Sequence, residues 1–147
     1  MHPIVDKVNA LAGTVIALLT AIFGTYWYVF AAYLICTILD YVTGIIKAKV
    51  LHKESSAAGL KGIIKKLGYW IIIALAFLVS EVFVKMGKDL WQMDFSFMAF
   101  IGWFTLGSLL INEIRSILEN LIESGIHVPN LLIKGLDVAE KMLEKEK

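Results

Sequence analysis

Four ionisable side chains stand in or beside long apolar runs: Asp40, Glu81, Glu113 and Arg115. Charges so placed can relay protons, pair across helices or line water, and where the surrounding run is a membrane span each costs about 2.5–3.5 kcal/mol at the bilayer centre. Depth separates them. Asp40 precedes Ile46, the end of its apolar run, by about 9 Å of helix, and Glu81 lies about 21 Å beyond Leu67. Glu81 and Lys85 are one turn apart and can pair and snorkel together. Asp40 and Glu113 fall at comparable depth, and Lys47 and Arg115 are near enough in depth to neutralise them. Such a ring of alternating sign would specify helix or subunit pairing, and would line water if an aqueous path opened. Two interfacial acids hydrated by headgroups would satisfy the same pattern.

Other chemistry is weakly represented. Cys36 is the sole cysteine, and His2, His52 and His127 are too scattered for a zinc motif. Gly59-x-x-Gly62 before Lys65-Lys66 is a poor phosphate cradle and reads better as a juxtamembrane segment with lysines for anionic headgroups. No nucleophile–base set or nucleotide loop stands out. The expectation is no enzyme, no metal and no cofactor.

The elements that must position these residues follow from composition. Of 147 residues, 59% are hydrophobic and 18% charged, against about 25% charged in a soluble domain. The mean hydropathy is +0.75. A chain this small has too little interior to hide so much apolar surface, so lipid is the expected solvent. A net charge of +1 speaks against nucleic acid.

From Val8 to Leu39 no charge occurs, which is about 48 Å of helix where the hydrocarbon core needs about 30 Å. A fold-back at Gly24-Thr25-Tyr26-Trp27-Tyr28 would split it into spans near 6–24 and 28–46, with the aromatics in the headgroup layer. Further spans are expected at 67–84 and 95–114. The expected fold is all-α, one multi-span membrane domain over 1–147. Four spans are favoured; three remain possible if the first run is one tilted helix.

Residues 47–66, with six lysines, read as a basic loop, and 130–147 as an amphipathic tail helix in which Leu132, Leu136, Ala139 and Leu143 recur. With four spans, twelve Lys and Arg share one side and only Lys85 and Lys88 face the other, so loop and C-terminus are expected in the cytoplasm. A single lysine beside Asp6, with no small-residue cleavage site, does not suit a signal peptide. Gly13, Ala17, Ala21 and Thr25 recur every fourth residue, a small-residue stripe suited to oligomerisation or to packing inside one subunit.

At Leu39-Asp40-Tyr41-Val42-Thr43-Gly44-Ile45-Ile46-Lys47-Ala48, followed by the serines, Gly59, Gly62 and Lys65-Lys66, the chain resembles the small phage holins of Gram-positive bacteria, a group that includes holin-like proteins of clostridial toxin secretion. Asn112-Glu113-x-x-Ser116-x-x-Glu119-Asn120 and Gly125-x-x-Val128-Pro129 are similar to the family's second block. The resemblance implies a homo-oligomer of the bacterial cytoplasmic membrane. Its pore or lesion would let an endolysin or toxin cross, the bilayer being its other partner and the cargo needing no direct contact. By position, Asp40, Gly44, Lys47, Glu113, Ser116, Glu119 and Asn120 match the motifs, and none carries a catalytic role. The alternatives are a small ion-coupled transporter or channel, or a non-conducting holin antagonist or scaffold. A transporter is expected to hold an ionisable group near the midplane, whereas these charges sit at span edges.

Overall fold

The computed structural model describes residues 3–144. Among them are five α-helices and no strand: α1 (Pro3–Phe23), α2 (Trp27–Val50), α3 (Ser56–Leu90), α4 (Ala99–Glu123) and α5 (Asn130–Glu144). The all-α class expected from composition is the class found. Ile4–Val50, Ser56–Leu90 and Ser96–Glu123 are apolar and long enough to cross a bilayer, the first being 47 residues long. As one rod it would be about twice the length a span needs. It is broken instead at Gly24–Tyr26, a 3₁₀ turn entered through Gly24 at φ +62°, a conformation glycine adopts without steric cost. Three to four helices can therefore span.

The lysine segment is a correction. Only residues 51–55 are non-helical, because α2 runs on to Val50 and α3 begins at Ser56. Lysine and alanine are good helix formers, and both ends are capped. The Lys53 N–H donates to the Ala48 carbonyl at 2.9 Å and the His52 N–H to that of Lys49 at 3.2 Å, closing α2. Ser55 Oγ accepts the Ala58 N–H at 3.3 Å, opening α3. The helices run past the membrane spans expected at 67–84 and 95–114: α3 extends to Leu90 and α4 to Glu123. Between them Asp94 Oδ1 accepts the Ser96 N–H at 2.8 Å. That backbone bond holds the Asp94 carboxyl below its ordinary value. The side chain of Leu143 and residues 145–147 of the expected tail lie outside the described residues.

Helix α4 is the centre of the bundle. Both α2 and α3 pack along it while hardly approaching one another. Their contact lines keep heptad-like spacing: Tyr33, Thr37, Asp40, Gly44 and Lys47 on α2, Lys66, Ile73, Ser80 and Gly87 on α3, and Gly102, Leu106, Glu113 and Asn120 on α4. Such spacing keeps a seam facing its partner as the helices cross at shallow angles. The apolar half of the seam is closed by Tyr33, Ile73 and Leu106, with Phe30, Phe77 and Trp103 around them.

At the far end Ser80 Oγ accepts the Gly102 N–H at 3.1 Å and donates to the Ala76 carbonyl at 2.7 Å. It thereby ties α3 to the start of α4, whose N-cap residue Met98 makes no side-chain capping bond. Gly102 is required there, since a Cβ would stand 2.8 Å from the Phe77 ring. Helix α1 joins this bundle only near its C-terminal end. Phe23 stacks on Phe30 at 4.4 Å and meets the Phe77 ring edge-on at 5.2 Å, whereas residues 4–18 are exposed.

Gly102→Ala is expected to destabilise the bundle by about 1–3 kcal/mol through overpacking against Phe77. Gly107→Ala, where a Cβ would meet nothing within 4 Å, should be neutral or stabilising by up to about 1 kcal/mol through helix propensity. Tryptophan-monitored unfolding of both variants in mixed micelles reads the difference; equal stability would contradict the Phe77 contact.

Candidate functional site: a charged layer where three helices meet

Toward the lysine-bearing end the seam turns from apolar to polar. Lys66 enters it from α3, one heptad before Ile73, and lies between carboxylates of the other two helices. Its Nζ is 2.8 Å from Asp40 Oδ2 on α2 and also donates to Glu113 Oε2 on α4. The Glu113 side chain is 2% exposed, that of Asp40 15% and that of Lys66 16%.

A second tier completes Asp40. Asn120 Nδ2 donates to Asp40 Oδ1 at 3.0 Å and approaches the Asp40 carbonyl at 3.4 Å and Thr43 Oγ1 at 3.3 Å. Thr43 Oγ1 donates to the Asp40 carbonyl at 3.1 Å. The Asn120 carbonyl accepts from Ser124 Oγ at 2.6 Å. Beside the layer the Tyr33 hydroxyl and Thr37 Oγ1, one turn apart on α2, are buried and find no hydrogen-bond partner among the described residues.

Desolvating these charges is costly, and they persist because each is paired. Their arrangement joins three helices that are far apart in sequence: α2 and α3, which scarcely touch directly, are linked through one ammonium. The chemistry available is electrostatic and structural. No group of three or more His, Cys, Asp or Glu among the described residues is placed to hold a metal.

The expected partners differ from those found. Lys47 and Arg115 do not neutralise Asp40 and Glu113: Lys47 Nζ stands 3.6 Å from Glu123, and Arg115 Nη2 lies 3.4 Å from Asp137 on α5. Depth alone suggests the expected pairing. Direction around the helix axis decides the outcome, because Lys47 points past Asp40 toward the end of α4 and Arg115 points away from the α2 seam.

Residue type does not set Lys66 apart among six lysines, yet its seven-residue spacing from Ile73, and of Ile73 from Ser80, marks it as a seam position. Gly44 faces Asn120, whose Nδ2 would be 3.7 Å from a Cβ. Ser116 is half-buried and Glu119 exposed. Glu81 and Lys85 pair at 3.0 Å on the exposed surface. Gly13, Ala17 and Ala21 are brought to none of this. They lie exposed on α1, with nothing within 4 Å of a Cβ at Gly13.

The model of the bacteriophage holin family matches residues 17–141, a range that contains the whole charged layer. The chain belongs to the bacteriophage holin family. It is 26% identical to an uncharacterized protein of Halalkalibacterium halodurans, over 86% of this chain and 89% of that one. It is 30% identical to an uncharacterized protein of Clostridium perfringens, over 81% of this chain and 80% of the other. An uncharacterized Listeria monocytogenes protein is 34% identical over 67% of this chain, the match spanning 63% of that relative's length. No solved structure matches the chain.

In this holin-family bundle Lys66→Met leaves two carboxylates without their ammonium and is expected to cost about 3–5 kcal/mol. Combining it with Asp40→Asn and Glu113→Gln should recover much of that loss, since the penalty comes from unpaired charge rather than from the missing lysine. Unfolding titrations of the single and triple variants test this; a triple variant less stable than Lys66→Met would contradict it.

Proposed function

We propose that this chain is a pore-forming holin. It accumulates in the bacterial cytoplasmic membrane with the lysine-bearing end and α5 on the cytoplasmic side, associates with further copies of itself, and opens a path for an endolysin or a secreted toxin. It does so without catalysis and without a cofactor. The observation that carries this reading is the three-helix ion-pair layer Asp40–Lys66–Glu113 inside an otherwise apolar bundle of a holin-family chain.

A lesion protein must first rest in lipid and later present a polar face to water. A seam whose charges satisfy one another meets the first requirement, and the same groups facing an aqueous path meet the second. The exposed small-residue stripe Gly13, Ala17 and Ala21 offers a helix surface that a neighbouring copy can approach closely. The distribution of Lys and Arg, twelve against two, supports the orientation.

The test is inducible expression in a bacterium that also makes an endolysin lacking any export signal, following turbidity and release of a folded cytoplasmic marker. Abrupt lysis after a delay, requiring both proteins, is the expected result. Slow or absent lysis, with the chain verified in the membrane, would overturn the reading in favour of a small-solute channel, a transporter or an antagonist. Asp40→Asn should shift the onset of lysis at unchanged membrane level, and an unaltered onset would remove the charged layer from the opening step.

A further inference from the structure

Helix α5 has two apolar sides, and only one is used. Ile133, Leu136 and Ala139 are half-buried, and Arg115 of α4 donates to Asp137 Oδ1, so this side lies on α4. Leu131, Leu132, Val138 and Met142 are exposed, Leu131 to 81% and Met142 to 67%. At about 3.6 residues per turn Leu131, Gly135, Val138 and Met142 fall along one line, with exposed Leu132 a quarter turn away beside Ala139. Lys134 and Lys141, both exposed, run along the opposite margin of that arc. Asp137, which lies between the lysines in the sequence, has its charge met by Arg115.

The chain enters α5 through a reversal. The Ile126 N–H donates to the Leu121 carbonyl at 3.0 Å and the Gly125 N–H to that of Ile122 at 2.9 Å, with Gly125 at φ +81°, a glycine-closed helix end. Pro129 follows. The contact of Asp137, midway along α5, with Arg115, well inside α4, places the middle of α5 beside α4 near the level of the charged layer. That level is where the apolar part of α4 begins. The exposed arc therefore arrives at the edge of the hydrocarbon with lysines beside it.

We infer that α5 is an interfacial anchor: it lays Leu131, Val138 and Met142 into the boundary between acyl chains and headgroups, with Lys134 and Lys141 at lipid phosphates. A helix with one apolar arc flanked by lysines lies in that plane, and lysines near anionic headgroups add to the attraction. The occupant is lipid rather than a second copy because the fold-back brings the arc to the bilayer edge and the flanking charge matches phosphate. Through Arg115–Asp137 the anchor is tied to the helix that carries Glu113, two residues from Arg115.

The experiment uses the full-length chain in lipid nanodiscs. In a Cys36→Ser background, an environment-sensitive fluorophore is placed at Val138→Cys or Met142→Cys, with Glu54→Cys in the α2–α3 connection as the aqueous reference. Discs hold one copy or several, in zwitterionic lipid or with phosphatidylglycerol added. The expected result is blue-shifted emission at 138 and 142, quenched by headgroup-level nitroxide lipids and protected from iodide, already at one copy per disc. Lys134→Glu with Lys141→Glu should raise iodide quenching most in the anionic discs.

Emission matching the Glu54 site would overturn the anchor. A blue shift confined to multi-copy discs would assign the arc to a second copy instead, and insensitivity to the lysine reversals would overturn the phosphate contact. Depth is read without reference to lysis, so this result stands apart from the pore reading.

Discussion

One ammonium answering two carboxylates constrains the rest of this bundle. Lys66 can reach Asp40 and Glu113 together only if α2, α3 and α4 hold a fixed register, because each of the three groups sits on a different helix. In lipid the constraint is stringent. Apolar side chains there gain little from facing protein rather than acyl chains, so packing detail and polar pairing decide which helices associate. The apolar half of the seam, with Tyr33, Ile73 and Leu106 fully or nearly buried, supplies shape; the charged layer supplies register. A slip of one residue along α2 would move Asp40 off both Lys66 and Asn120 and leave charges unpaired where water is scarce.

The polar layer also separates two parts of the chain with different duties. Beyond it toward Leu90 and Ser96 lie rings and a glycine contact, Phe77 against Gly102, which close the bundle tightly. On its other side the helices continue past the apolar runs, carrying lysines, the Lys47–Glu123 pair and α5. Because α2, α3 and α4 all bring their charged ends to one end of the bundle, the lysine segment and α5 necessarily share a side of the membrane. Helix α1, attached through Phe23 and a glycine turn, is left outside this framework.

Much of this was legible in the sequence. Charge-free runs gave the helical membrane class, and the break at Gly24 was marked by a glycine before aromatics. Asp40 and Glu113 stand out in the sequence because acids inside apolar runs are costly. Partner choice was not legible from depth. Lys47 and Arg115 lie near the right level but face other neighbours, and angular position around a helix emerges only when the seam register is followed residue by residue. Lysines in a polar segment look interchangeable until one falls on the heptad line of the next helix, as Lys66 does. The helical character of residues 56–66 was hidden for a related reason: lysines signalled solvent, while the capping serine and the alanines had already committed the backbone to α3.

The contact of Lys66 with both acids is open to direct measurement in bilayers. Solid-state NMR can detect dephasing of lysine Nζ by ¹³C-labelled Asp or Glu side-chain carboxyls, a signal that falls steeply with distance and is strong for an ion pair with N···O within about 4 Å. The Lys66 resonance is assigned by its loss in Lys66→Met. The account predicts that this one nitrogen is dephased in both the Asp-labelled and the Glu-labelled sample, and that Asp40→Asn and Glu113→Gln each abolish one of the two effects. A Lys66 nitrogen dephased by neither label, or unaffected by both substitutions, would contradict the charged layer as the constraint on the fold.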